Sequence, residues 1–207
     1  MAVKELLGQL HEVAECPRKQ LERYLGEGRR VIAMAPVYGP QEIVHSMGLV
    51  PMGVWGADVE INEAKKYYPA FICSVMQTIL ELGIKGEYKG VSAIIIPSLC
   101  DSLKTLGQNW KYAVADIPFI PMTYPQNRKQ DYGIKFTRAG YGRVISSLEV
   151  ATGARFSEPA LVKSNAIYNE HNRVMREFAE IASYADITAT QRSDVFKSAW
   201  FMTVEEH

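Results

Sequence analysis

The stretch Ile94-Ile95-Ile96-Pro97-Ser98-Leu99-Cys100-Asp101-Ser102-Leu103 decides the fold. A short β-branched run without polar alternation is a strand buried on both faces, as found inside parallel sheets, and Pro97 with Ser98 ends it. Asp101 and Ser102 can cap or open a helix, to which Leu103, Leu106 and Trp110 give an apolar stripe. Cys100 thus falls at the carboxyl end of a strand, where open α/β sheets hold their ligands. A cysteine there is also a common small buried hydrophobe, so its surroundings must decide its role.

Upstream, Arg30-Val31-Ile32-Ala33-Met34-Ala35 reads as the first strand and Pro36-Val37-Tyr38-Gly39-Pro40 as the turn at its carboxyl end. Gly39 at the N-cap and Pro40 at the first helical position predict a helix over 41–47. Glu42 falls in its first turn, where the dipole favours a carboxylate. His45 reads as a partly buried polar side chain, with no second histidine or cysteine at ligand spacing. Residues 48–56 read as a second strand leaving through Trp55, which either packs over a ligand or caps the core. A helix is expected over 69–82, with Phe71, Val75, Ile79 and Leu82 along one side. It carries Cys73 near its amino end, where the dipole favours a thiolate. Residues 118–122 form a short proline-bounded strand, which belongs near an edge.

At the amino end, Leu6, Leu7, Leu10, Val13 and Ala14 mark one face of a helical pattern over 2–25 that Pro17 divides and Gly26 and Gly28 end. Cys16 has no companion ligand nearby and reads as incidental. Residues 125–133 read as a polar loop, and helices follow over 137–152, 158–184 and 192–202. Asn165, Tyr168, Asn169, Asn172, Arg173 and Arg176 read as a solvated face. The expected organisation is an N-terminal helical segment (1–28), an α/β domain with a parallel flavodoxin- or Rossmann-like sheet flanked by helices (29–135), and a helical segment (136–207).

Composition narrows the function classes. The 207 residues are 47% apolar and 22% charged, ordinary for a globular protein. Lys plus Arg and Asp plus Glu both number 23, so no basic excess points to nucleic acid. No apolar run is long enough for a membrane span, and Lys4, Glu5, His11, Glu12 and Glu15 break up any signal-peptide core. Three cysteines without an export signal lead us to expect a reducing cytoplasm and free thiols. No G-x-G-x-x-G or Walker loop follows either strand, which weakens a nucleotide-binding reading.

Cys73 and Cys100 lie 27 positions apart and fit no compact metal motif. A parallel sheet can nevertheless bring a helix start and a strand's carboxyl end together. Thiolates suit soft metals and iron–sulfur clusters, for which two cysteines are an incomplete set.

Residues Pro36-Val37-Tyr38-Gly39-Pro40-Gln41-Glu42-Ile43-Val44-His45, the 48–56 run, Phe71-Ile72-Cys73, the 96–103 run, Pro125-Gln126 and Ala199-Trp200-Phe201-Met202 occur in one order. Together they resemble the 2-hydroxyacyl-CoA dehydratase family, on the side of its smaller (beta, or D-component) subunits, over nearly the whole chain. The resemblance is to the amino-terminal half of those subunits. It implies an oxygen-sensitive [4Fe-4S] cluster held by Cys73, Cys100 and a third cysteine from a second α/β domain not present in this chain. Cys16 is not at a matching position. Because residues 204–207 break off on a helical pattern without a stop signal, we expect a fragment. Tyr38, Glu42 and Ser98, at strand ends and helix starts on the same edge, are the expected catalytic neighbours of the cluster.

The family further implies a heterodimer with a larger dehydratase subunit, an ATP-dependent iron–sulfur activator and an acyl-CoA substrate. The activator injects one electron, which reaches the thioester carbonyl; the ketyl radical expels the α-hydroxyl, the β proton becomes removable, and the electron is recycled. The smaller subunit's expected part is electron relay. The alternatives are a subunit of a benzoyl-CoA-reductase-like or double-cluster reductase, and a non-catalytic α/β module that keeps the fold alone.

Overall fold

The computed structural model describes residues 3–36 and 38–207. Met1, Ala2 and Val37, which fall in the expected N-terminal helical segment and first turn, lie outside the described residues. Four parallel strands, β1 (Val31–Met34), β2 (Val50–Gly53), β3 (Ala93–Pro97) and β4 (Phe119–Met122), form one sheet in the order β2-β1-β3-β4. Around it lie α1 (Val3–Glu15), α2 (Pro17–Gly26), α3 (Gln41–Ser46), α4 (Ser74–Ile84), α5 (Asp101–Ala113), α6 (Asp131–Thr152), α7 (Glu158–Ile181) and α8 (Ala189–Ser198). The expected α/β sheet flanked by helices and followed by a helical segment is the architecture observed.

Alternation along β1 divides the helices into two layers. Val31, Ala33 and Ala35 join Ile94 and Ile96 beneath Met76, Ile79 and Leu80 of α4 and Leu103, Leu106 and Trp110 of α5. Ile32 and Met34 join Ile95 beneath Ile43 and Val44 of α3 and Val144 and Leu148 of α6. All residues of β1 and β3 are buried, as two-sided cover requires. The proline-bounded strand is indeed an edge: Pro121 of β4, paired only with Ile96, is exposed where no ladder donor is needed. At the other edge, the N–H of Gly53 donates to the carbonyl of Trp200 at 2.8 Å, so the C-terminal turn covers β2.

Several boundaries differ from the sequence reading. Helix α4 starts at Ser74, because Cys73 is extended (φ −49°, ψ 124°) and residues 69–72 form a separate turn closed by Ile72 N–H to Pro69 C=O. Phe71 therefore lies outside the helix and is 87% exposed instead of sharing the apolar side of Val75 and Ile79. Pro40, not Gly39, is the N-cap of α3; Gly39 meets a packing need, since a Cβ there would lie 2.5 Å from Met34 Sδ. Helix α6 begins inside the expected loop, at Asp131, with a Gly133 that the carbonyl of Asn127 approaches too closely for any Cβ. The last helix ends at Ser198 because Phe201 turns back into the core while Trp200 serves β2. Tyr168 leaves the solvated face of α7: it is buried, edge-on to His45.

Candidate functional site

In a parallel sheet every strand delivers its carboxyl end to one edge, and here the order reverses between β1 and β3. That switch point is where open α/β sheets form their ligand crevice. The turns leaving β1 and β3 carry Tyr38 and Ser98 to it. The tyrosine ring is exposed, and its backbone carbonyl accepts a 2.7 Å hydrogen bond from the Tyr124 hydroxyl. Ser98 extends the β3–β4 ladder through its N–H to Met122 C=O (2.8 Å), and its hydroxyl donates to Thr123 Oγ1 at 3.1 Å.

The two cysteines occupy equivalent places on neighbouring helices. Cys73 is the N-cap of α4 and Cys100 the N-cap of α5, and both thiols are free and exposed. Gly56, just past the carboxyl end of β2, lies so close to Val75 and Thr78 that a Cβ there would meet Thr78 Oγ1 at 2.5 Å. The start of α4 is thereby fixed at the carboxyl edge. Further down, Gly83 packs on Trp110 and Val114. Gly83 is ten residues beyond Cys73 and Trp110 ten beyond Cys100, so this contact joins α4 and α5 at matching distances from their N-caps. Packed helix axes are roughly 8–10 Å apart, a span that two cysteine side chains can close on a common ligand.

The two caps differ from ordinary helix starts in their side chains. Neither N-cap is a Ser, Thr, Asp or Asn, so the free N–H groups of each first turn face a thiol instead of a strong oxygen acceptor. Leu103 N–H donates to Cys100 Sγ at 3.4 Å, and Cys73 accepts no such bond. The positive ends of two helix dipoles meet there.

Glu42 is on the same edge but in the other layer. Its backbone carbonyl accepts from Ser164 Oγ (2.8 Å) on α7, and its carboxylate faces a set of tyrosines. Burial, Tyr141 and Glu42 push the Tyr124 phenol up; burial and Glu42 do the same to Tyr141; burial, Glu42 and Glu205 raise Tyr168. These phenols stay protonated and can donate beside a carboxylate. Sequence spacing gave no sign of this group, because its members come from four separate segments. Beside it His45, expected to be a partly buried polar residue, bonds to Ser164 Oγ at 2.9 Å and Glu205 at 2.7 Å.

Trp55 resolves to neither of its two sequence readings alone: it lines a cavity of about 720 Å³ beside β1 and β2, with Ala33, Met52, Tyr88, Phe196 and Phe201. Residues of α2, α4 and α8 wall it, the small Ala33 side chain leaves room in it, and no local motif signals it. Cys16 lies in a different groove, with Leu10, Gln20, Met202 and His207.

Two level thiols at helix N-termini suit a soft metal or part of an iron–sulfur cluster. Among the described residues no third His, Cys, Asp or Glu joins Cys73 and Cys100 in a three-donor group. For a cluster they are a partial donor set. No described helix is long and apolar enough to cross a membrane.

Residues 36–207 match the family described as 2-hydroxyglutaryl-CoA dehydratase, D-component. The chain is similar to the (R)-phenyllactyl-CoA dehydratase beta subunit of Clostridium sporogenes, with 42% identity covering 95% of this chain and 53% of that subunit. It is 43% identical to the lactoyl-CoA dehydratase subunit beta of Anaerotignum propionicum, covering 99% of this chain and 55% of the relative. The (R)-2-hydroxyglutaryl-CoA dehydratase subunit beta of Acidaminococcus fermentans is 34% identical, over 100% of this chain and 56% of its own. The chain spans about half the length of the curated relatives it matches.

Proposed function

The chain belongs to the 2-hydroxyglutaryl-CoA dehydratase D-component family, and from that premise we propose that Cys73 and Cys100 ligate a [4Fe-4S] cluster in the smaller subunit of a 2-hydroxyacyl-CoA dehydratase. The observation that carries this reading is the pair of exposed thiols capping two helices packed in level register. A third protein ligand comes from beyond the residues described. The cluster, when bound, supplies reversible one-electron transfer, passing an electron from an ATP-dependent iron–sulfur activator toward the larger subunit. The reaction served is loss of water from an (R)-2-hydroxyacyl-CoA to give a 2-enoyl-CoA, with the electron returned after each turnover.

The chain's own residues hold and tune this relay. The N-terminal dipoles of α4 and α5 stabilise thiolate charge and offset the negative charge of a thiolate-ligated cluster. Ser98 and Tyr38 stand on the β3 and β1 turns that border the crevice, and their hydroxyls serve as hydrogen-bonding groups toward the cluster. Glu42, held in the opposite layer among protonated tyrosines, acts on the crevice through the α3 start.

The test is replacement of Cys73 or Cys100 by Ala in the whole subunit, purified anaerobically with its larger partner. Loss of the broad visible absorbance and of dehydration is expected, with folding unchanged. An unchanged spectrum overturns the ligand assignment. A colourless, folded wild-type subunit after iron and sulfide reconstitution favours the non-catalytic module instead.

A further inference from the structure

We propose that His11, Glu15 and Asp194 form a second, thiol-free cation site that pins α1 to α8. His11 and Glu15 stand four residues apart on α1, so they share one helix face. Asp194 projects from α8, which packs against that face. The three side chains each bring one ligand atom to within 4.8 Å of the others.

A second observation separates this group from an ordinary surface cluster. Asp194 is only 1% exposed, and its two oxygens are treated unequally. Oδ2 accepts from His11 Nδ1 at 2.7 Å, while Oδ1 is buried without a hydrogen-bond partner. The nearest cationic group to Oδ1, Lys197 Nζ, stands 3.9 Å away, beyond hydrogen-bond reach. Ser198 does not help: its hydroxyl donates to the backbone carbonyl of Asp194. Such an orphan acceptor in a native fold calls for a ligand. Glu15 has no ion pair or hydrogen bond among the described residues, so its carboxylate is available.

One imidazole and two carboxylates are the donor set of zinc and of manganese or iron(II), whereas magnesium and calcium prefer oxygen alone. Metal–nitrogen and metal–oxygen bonds of about 2.0–2.2 Å require the donors to draw slightly closer. His11 and Glu15 are exposed and can do so by side-chain rotation, leaving the outer side of the ion to water. The cation would replace the proton shared between His11 and Asp194 and satisfy Asp194 Oδ1. Glu15 also lines the 720 Å³ cavity, as do Ser193 and Lys197 beside Asp194, so the ion lies at its rim.

The test titrates the chain with cobalt(II), a spectroscopic stand-in for zinc, in wild type and in Glu15→Gln, His11→Ala and Cys73→Ala/Cys100→Ala variants. In the Cys73→Ala/Cys100→Ala variant, where the other metal-binding thiols are gone, we expect one equivalent bound with weak visible ligand-field bands and no sulfur-to-cobalt charge transfer. Glu15→Gln should weaken binding at least roughly tenfold, the loss that even an outer-shell partner causes. His11→Ala should abolish it. Because Glu15 is exposed and unpaired, circular dichroism of Glu15→Gln should match wild type, so a folding defect cannot mimic the result. Absence of the bands overturns the proposal and leaves His11–Asp194 as a simple ion pair. Bands indifferent to both α1 variants, or a double-cysteine variant that binds no cobalt, overturn it equally.

Discussion

At residues 199–207 nearly every polar group is engaged. Trp200 C=O accepts from Gly53, Thr203 N–H donates to the Tyr24 hydroxyl at 2.9 Å, and Glu205 holds His45. Glu206 accepts from Tyr24 and from Arg23 (2.8 Å), and His207 contacts both His171 and the Val195 carbonyl at 2.9 Å. The carboxyl edge of the sheet is the opposite. Cys73, Cys100, Tyr38, Leu99 and Phe71 are exposed, Cys73 makes no cap bond, and Cys100 accepts one long one. The first region spends its chemistry on holding the chain; the second keeps its chemistry free. Stability and function should therefore respond to mutation in separate places.

The largest stability effect should come from Tyr24, which is wholly buried and joins the C-terminal turn to α2. Burial and the Glu206 carboxylate push its phenol up to about 12, so it remains a donor at any working pH. Tyr24→Ala should cost about 3–5 kcal/mol, as for other large aromatic truncations in cores. Tyr24→Phe keeps the ring but strips partners from Gln20, Thr203 and Glu206, for about 1–3 kcal/mol. Urea unfolding checks both. A cost below half a kilocalorie for Tyr24→Phe would break the contrast between the two regions.

Gly83→Ala reaches the carboxyl edge from a distance. Its Cβ would lie 2.9 Å from Trp110 and Val114, and overpacking of about 1–3 kcal/mol outweighs the gain of about 1 kcal/mol in helix propensity. By spreading α4 from α5 it should also weaken any ligand shared by their N-caps, which metal affinity beside urea unfolding would report.

Acidity should act on the C-terminal turn alone. Burial lowers the pKa of His171; burial, and secondarily His171, lowers that of His207, against the opposing Val195 carbonyl. A histidine with a depressed folded pKa contributes stability that is full above its unfolded value of about 6.5 and is lost as pH falls from there toward the folded value. Hydrogen-exchange protection factors at residues 199–207, corrected for the intrinsic pH dependence of amide exchange, should thus fall between pH 7.5 and 5.5, while those in β1 and β3 hold.

The smallest stability effects belong to the thiols. Cys100→Ala removes one weak cap bond and Cys73→Ala none, so each should stay within about 0.5 kcal/mol of wild type in the metal-free protein. A cost above about 2 kcal/mol for either would make it a packing residue.

The strands and most helices were legible because burial on both faces leaves an unbroken apolar run, as at Ile94-Ile95-Ile96, and because Pro17 divides the first helical pattern where α1 ends. Helix ends set by tertiary contact were not: Phe201 must enter the core and Trp200 must cover β2, so the last helix stops at Ser198 despite a helical pattern to Met202. Tyr168 reads as surface by its polar neighbours and is buried because His45 packs against it. At the candidate site, Cys73 and Cys100 were recognisable from strand-end and helix-start position. Their level register depends on the Gly83–Trp110 contact, which no local spacing encodes. In the His11, Glu15 and Asp194 group, Asp194 lies 183 residues beyond His11, a pairing that no local spacing encodes.

The most direct measurement is iron and sulfide analysis with EPR of the anaerobically purified whole subunit, comparing wild type with Cys73→Ala and Cys100→Ala. The account expects about four irons per wild-type subunit and a one-electron-reduced cluster signal that each substitution abolishes while urea unfolding of the iron-free proteins stays unchanged. A cluster signal that survives both substitutions would contradict the claim that the open edge of this sheet is an electron-relay site.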